Sequence, residues 1–248
     1  MFKYQVINKK YEDFLLNIKE YFQKSDHTIH QARNQLKVIS YENKKYVVKA
    51  FKIPNLLNQI VYAYIRNSKA KKSYLNAIEL LKLNISTPKP IGYIEFYRHK
   101  LFKESYYVSE FVEYDFTIRE PLRNKTLRKR EEIIKEFVKF TYNLHQKGVF
   151  HKDFSAGNTL VLKKENNYDF SIVDINRLEL KTITLDLAMK NFDKLWLDED
   201  TLIFIAKEYA QLSGYNEKEC IDKIIFYDKK LKDFVQKRRK IKKRILGK

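Results

Sequence analysis

Apolar positions recur along this chain with two different periods, and the change of period divides it. Residues 2–7 alternate like a strand, and a helical spacing follows at Tyr11, Phe14, Leu15, Ile18 and Phe22. From Thr28 to Lys52 the pattern is again strand-like, and Tyr46-Val47-Val48-Lys49-Ala50-Phe51 is a β-rich run with one cation inside it. Residues 55–84 read as one or two helices, interrupted near Asn67-Ser68. The segment Thr87-Pro88-Lys89-Pro90 forbids a helix to continue. Strands are predicted over 91–96 and 105–112. Beyond residue 112 the period lengthens. A helix is predicted over 126–146 with the apolar face Ile133, Phe137, Phe140 and Leu144, and Gly148 is placed to end it. A polar loop follows at 151–158, then a hairpin from 159–162 and 168–173, then mostly helix over 185–246. The prediction is an α+β protein with a β-rich part over 1–112 and a mainly helical part over 113–248.

With 248 residues the chain can bury a sizeable core, and 44% hydrophobic residues place it among globular proteins. The formal net charge of +19 changes the picture more, because such an excess attracts nucleic acid, an anionic membrane or an anionic substrate. The single cysteine, Cys220, excludes an internal disulfide and fits a reducing compartment. The first residues lack the apolar core of a secretory signal. No run of about 18 apolar residues exists, so a soluble or peripheral protein is expected.

The chemistry concentrates in His151-Lys152-Asp153-Phe154-Ser155-Ala156-Gly157-Asn158, an HxDxxxxN pattern, and in Ile172-Val173-Asp174 at the end of the next strand. Phosphoryl transfer needs a carboxylate to orient the attacking hydroxyl and take its proton, and oxygen ligands for the Mg²⁺ that bridges the phosphates. Asp153 suits the first role. Asn158 and Asp174 suit the second, because the hairpin returns Asp174 toward a loop that presents the other two. A polar turn whose acid and amide only cap backbone is the competing reading.

This arrangement resembles the catalytic and metal-binding loops of protein kinases and of the kinases that phosphorylate sugars and antibiotics. Here Lys152 stands in place of the Arg of His-Arg-Asp, and Asp174-Ile175-Asn176 in place of Asp-Phe-Gly. No Ala-Pro-Glu motif follows, which favours a small-molecule or glycolipid acceptor over a peptide. The resemblance implies a two-lobed protein-kinase-like fold with an N-terminal ATP-binding lobe and a C-terminal catalytic lobe. It makes Lys49 the phosphate anchor and His151 a supporting residue. A buried ammonium requires a partner, and Glu79 is the only acid between Lys49 and Glu95. No glycine precedes Gly92, so no Gly-rich phosphate loop exists. Residues near His30–Asn34, with Arg33 toward the phosphate oxygens, are expected to cover ATP instead. Ser109-Glu110-Phe111 sits where a hinge would offer backbone groups to adenine.

Longer stretches resemble one family, the lipopolysaccharide core kinases that phosphorylate Kdo or heptose. They are Ala32-Arg33-Asn34, Tyr46–Lys52, Ser68-Lys69-Ala70-Lys71-Lys72-Ser73-Tyr74, Thr87–Tyr93, His151–Asn158 and Val173-Asp174-Ile175-Asn176-Arg177. The resemblance implies an ATP- and Mg²⁺-dependent enzyme on the cytoplasmic face of the bacterial inner membrane. Its expected acceptor is a lipid-linked sugar, Kdo on lipid A. Arg177 is a candidate grip for an anionic sugar, or an ordinary surface residue. Asp186 is a candidate brace for the catalytic loop, or a helix N-terminal acid.

The last twenty residues hold eleven Lys and Arg. Ile224, Tyr227, Leu231, Phe234, Ile241 and Ile245 recur among and before them at helical spacing. A basic amphipathic helix suits an anionic bilayer, and the same charge pattern suits nucleic acid. No aromatic-rich RNA motif is present, so no nucleic-acid partner is expected. Competing functions are a soluble kinase of choline, an aminoglycoside or a protein, and a pseudokinase or basic RNA-binding module without catalysis.

Overall fold

The computed structural model describes residues 1–31, 34–165 and 167–246. The chain forms two compact units, Met1–Glu113 with Ile172–Arg177, and Tyr114–Ser171 with Leu178–Lys248.

The first unit is built on one sheet. Strand β1 (Phe2–Val6) leads through a short turn into helices α1 (Glu12–Leu16) and α2 (Ile18–Lys24), followed by β2 (Thr28–Gln31), β3 (Gln35–Tyr41) and β4 (Lys44–Phe51). Helices α3 (Leu56–Tyr64) and α4 (Lys69–Lys82) come next, then β5 (Pro90–Arg98) and β6 (Leu101–Glu110). The six strands lie in the order β1-β5-β6-β4-β3-β2, every pair antiparallel. On one face Phe14, Leu15 and Ile18 of the helical pair, none of them accessible, pack on Tyr46, Val48, Ile94 and Val108. Phe14 stacks on Tyr41 at 4.5 Å and meets Tyr21 edge-on. Burying each such side chain contributes about 1.5–3 kcal/mol, which holds this face of the sheet rigid.

Alternation along β4 then puts Lys49 and Phe51 on the opposite face. Lys49 sits between Leu36 of β3 and Tyr107 of β6, in the middle of the sheet. Helix α4 covers this face. Ser68 caps its first turn by accepting from the Lys71 N–H, and its apolar stripe Ala70, Tyr74, Ala77 and Leu80 faces the strands. The Ser-Lys-Ala-Lys stretch is thus the start of a helix. The Thr-Pro-Lys-Pro stretch acts as a clamp. The Thr87 hydroxyl donates to the Ile172 carbonyl at 2.8 Å, and the Ile172 N–H donates to the carbonyl of the preceding Ser86 at 3.0 Å. These bonds fix the strand end that precedes Asp174.

The second unit starts with β7 (Phe116–Thr117) and α5 (Arg119–Arg123), then α6 (Arg130–Gln146), β8 (Val149–His151), β9 (Thr159–Lys163), β10 (Tyr168–Ile172) and β11 (Leu178–Leu180). It closes with α7 (Leu185–Asn191), α8 (Glu199–Ser213) and α9 (Glu217–Leu246). Helix α6 starts later than its apolar period suggests, because Lys129 adopts a left-handed conformation at φ 62° and blocks a continuous helix from 126. Gly148, at φ 72°, ends it as expected and turns the chain into β8. Strand β8 pairs with β11, so His151 lies opposite Leu178. Strands β10, β9 and β7 form a second small sheet. The sheet-rich first unit and the helical second unit give the α+β architecture that the pattern predicts.

Candidate active site

Lys49 is 9% exposed. Its ammonium donates to Asp174 Oδ1 at 2.6 Å and lies 5.3 Å over the Phe51 ring. The expected partner Glu79 is not brought to it. Glu79 pairs instead with Lys82 at 2.7 Å, its side chain 45% exposed. The reason is helical phase: at 100° per residue Glu79 points away from the buried stripe of α4. The α4 residue that does reach toward the segment after Asp174 is Asn76, whose amide donates to the Ile175 carbonyl at 2.6 Å.

Asp174 holds a left-handed conformation, φ 56°, which a short acidic side chain tolerates better than most. Its Oδ1 also accepts from the Asn176 amide. Its Oδ2 carries no hydrogen bond among the described residues and is open to a cation. Arg177, in the 3-10 turn Ile175–Arg177, is exposed.

In the second unit, the loop 151–158 hangs from a buried frame. His151 is 1% exposed, and its Nδ1 accepts from the Asp153 N–H at 3.1 Å. Its carbonyl accepts from the Asn191 amide at 2.9 Å. Asn191 in turn accepts from His145 Nε2 at 3.0 Å, and His145 Nδ1 accepts from the Tyr209 hydroxyl at 3.0 Å. Burial pushes His145 down to about 4, so the imidazole is neutral and can link donor to acceptor in this way. Phe154 stacks on Phe137 at 5.6 Å, which anchors the middle of the loop. Asn158 donates its amide N–H to the Asp153 carbonyl at 2.8 Å, which leaves its side-chain oxygen for a metal. A Cβ at Gly157 would lie 2.6 Å from the Arg119 guanidinium, the end of a flexible side chain that can shift aside.

Asp153 has a neighbour that no motif announced. Lys194, just beyond α7, donates to the Lys152 carbonyl and lies 3.3 Å from Asp153 Oδ1. Lys152 pairs with Glu179 of β11. Asp186 does not brace this loop; Lys223 and Tyr227 of α9 hold it.

The Glu110 N–H donates to Lys89 and the Phe111 N–H to Lys45, so neither has a donor to offer. Val112 is the first residue past β6 whose N–H lacks a backbone partner among the described residues. Arg33 lies outside the described residues. Among those described, no group of three or more His, Cys, Asp or Glu residues converges on a metal position. Carboxylate and amide oxygens, such as those of Asp174 and of Asn158, are each a hard-donor type that Mg²⁺ accepts.

A MAP kinase from Leishmania major, LmaMPK10, is similar over 88% of this chain and 67% of its own, at 16% identity and a TM-score of 0.44. The solved structure of WaaP in complex with acyl carrier protein is similar over 95% of this chain and 98% of its own, at 11% identity and a TM-score of 0.63. At that identity the likeness to WaaP is one of fold. No curated protein sequence matches the chain. The chain is a phosphotransferase of the kinase class. It belongs to the lipopolysaccharide kinase (Kdo/WaaP) family, whose model matches residues 33–215, about three quarters of its length.

Proposed function

We propose that this kinase transfers the γ-phosphoryl group of ATP to a hydroxyl of Kdo linked to lipid A, at the cytoplasmic face of the bacterial inner membrane. The observation that carries the reading is the pair of acids, each held by a cation: Asp174 by buried Lys49, Asp153 by Lys194. In this reading Asp153 orients the acceptor hydroxyl and takes its proton. Asp174 Oδ2 and the Asn158 side-chain oxygen are the groups that would hold Mg²⁺, which neutralises phosphate charge when bound. Lys49 steadies the phosphates, His151 fixes the Asp153 backbone, and Arg177 contacts the anionic acceptor. The free N–H of Val112 suits adenine better than the occupied ones of Glu110 and Phe111. Glu79 receives no role.

No helix among the described residues is long and apolar enough to cross a membrane, which suits peripheral attachment. WaaP is solved with acyl carrier protein, so a protein of that kind is a reasonable second partner to assay beside the lipid.

The direct test is ATP consumption with Kdo-lipid A, a heptose-bearing core fragment, choline and an aminoglycoside in parallel. Kdo-lipid A is expected to be the preferred acceptor. Asp153→Asn is expected to fold and to lose about 10²–10⁴-fold in transfer, the usual contribution of a positioned base. Near-normal turnover by that folded variant would remove Asp153 from the chemistry. Turnover of a soluble alcohol in preference to the lipid-linked sugar would overturn the acceptor.

A further inference from the structure

The chain has one tryptophan, Trp196, and its setting has no structural explanation. The segment from Phe192 to Leu197 is nailed down by three apolar side chains: Phe192, Leu195 and Leu197 are 0%, 1% and 4% exposed. Phe192 packs edge-on against Tyr209 and His145. The Leu197 carbonyl accepts from Lys232 at 2.8 Å. Asp198 then caps α8. From this rigid strip Lys194 reaches Asp153, and two residues later the indole of Trp196 stands 44% exposed. It has no ring partner and no hydrogen bond among the described residues. Trp196 is also left-handed, at φ 58° and ψ 54°, a conformation that bulky L-residues avoid. A large apolar ring held exposed in a strained conformation, on a strip that touches the base, is a place to look for a ligand.

We propose that Trp196 and Lys194 form the acceptor subsite: the indole stacks on the apolar face of a carboxylated pyranose ring, and the Lys194 ammonium takes its carboxylate. The inference rests on the kinase reading above, with Asp153 facing the acceptor hydroxyl. Lys194 and Trp196 are two positions apart, so their Cα atoms lie within about 7 Å of each other. An aromatic ring suits a sugar because it covers C–H groups while leaving the hydroxyls at the ring edge free. An ammonium beside the base selects an acid sugar over a neutral one, since a carboxylate offers it a charge-assisted bond. Trp196 is then a specificity residue for the ring and Lys194 for its charge.

Because Trp196 is the sole tryptophan, its fluorescence reports the site without labelling. Titration with the methyl glycoside of Kdo is expected to give a saturable change, in wild type and in Asp153→Asn alike. Methyl glucoside is expected to give none at the same concentrations. In steady-state assays Trp196→Asn, which tolerates the left-handed backbone, is expected to melt no lower than wild type. Its acceptor KM should rise about tenfold, with kcat and the KM for MgATP within about twofold. Wild type should prefer the Kdo glycoside to its carboxyl-reduced alcohol by about tenfold, and Lys194→Gln should lose that preference. An unchanged acceptor KM in folded Trp196→Asn overturns the stacking assignment, as does a lost kcat with KM intact. Retained selectivity in Lys194→Gln overturns the carboxylate assignment. If wild type phosphorylates no sugar, the kinase reading has failed, and the fluorescence titration still decides the subsite: no saturable change overturns it.

Discussion

At the scale of single residues the informative pair is Lys49 and Asp174. The lysine is the more deeply placed partner, 11% of its side chain exposed against 31% for the aspartate. Removing the aspartate therefore leaves a buried ammonium without a countercharge, whereas removing the lysine leaves a carboxylate that water and the Asn176 amide still reach. Asp174→Ala is expected to cost about 3–5 kcal/mol of stability and to abolish calorimetric binding of MgATP. Lys49→Met is expected to cost clearly less stability while also weakening MgATP. Equal destabilisation by the two would contradict the unequal burial of the pair, and MgATP affinity retained in Asp174→Ala would place the nucleotide's metal elsewhere. The sequence made Lys49 and Asp174 visible separately but not as a pair. They are 125 positions apart, and the only rule available for a partner was proximity along the chain, which pointed to Glu79. Lys194 and Trp196 were invisible for the same reason: no fixed spacing ties them to Asp153.

At the scale of elements, the relevant construction is the polar bridge that joins α6, α7 and α8 beneath the catalytic loop: Tyr209 to His145, His145 to Asn191, Asn191 to the His151 carbonyl. Burial lowers His145 from 6.5 to about 4. Between these values the unfolded chain binds a proton that the folded one does not, so stability falls as pH falls through that window. Asp193 behaves oppositely. Burial raises it from 3.8 to about 6, so its contribution is largest at low pH and is lost as pH rises through 6. Between about pH 4 and 6 the two oppose each other and wild type masks both. His145→Gln keeps an amide in the bridge and removes the titration. Its loss of stability from pH 7 to 4.5 is expected to be smaller than that of wild type by about 2–3 kcal/mol. Asp193→Asn should be more acid-sensitive than wild type. Denaturant unfolding at the two pH values reads both, and parallel pH dependence in all three proteins would contradict the assigned burial. The long helix α6 was legible from period alone. The two- and three-residue strands β7, β8 and β11 were not, because so few residues show no alternation; they exist only because a distant partner accepts their hydrogen bonds.

At the scale of the whole molecule the charge of +19 is spread unevenly, and α9 carries its densest stretch. The apolar repeat read along this helix is split by the structure into two parts with different fates. Cys220, Ile224 and Asp228 are buried in the second unit. Residues 236–244 are exposed throughout, and Phe234 and Ile241 stand 56% and 54% exposed, with Arg238 over the Phe234 ring. This part also lies beyond the residues that the family model matches. Phe234, Arg238 and Ile241 share one helical face, and Lys237 flanks it. An aromatic and an aliphatic residue among cations form the surface that an anionic bilayer attracts and then partly buries. Each Lys or Arg contributes about 1 kcal/mol at such a surface, so changing Lys237, Arg238, Lys240 and Lys243 to Glu should eliminate binding. All four are exposed, so the variant is expected to melt with wild type. Wild type should sediment with vesicles containing anionic lipid and be released by high salt, since the attraction is screened over about 10 Å at 0.1 M. The variant should stay in solution, keep its turnover on a short soluble acceptor and lose it on acceptor embedded in a bilayer. Equal sedimentation of variant and wild type would reduce this segment to a solvated helix end.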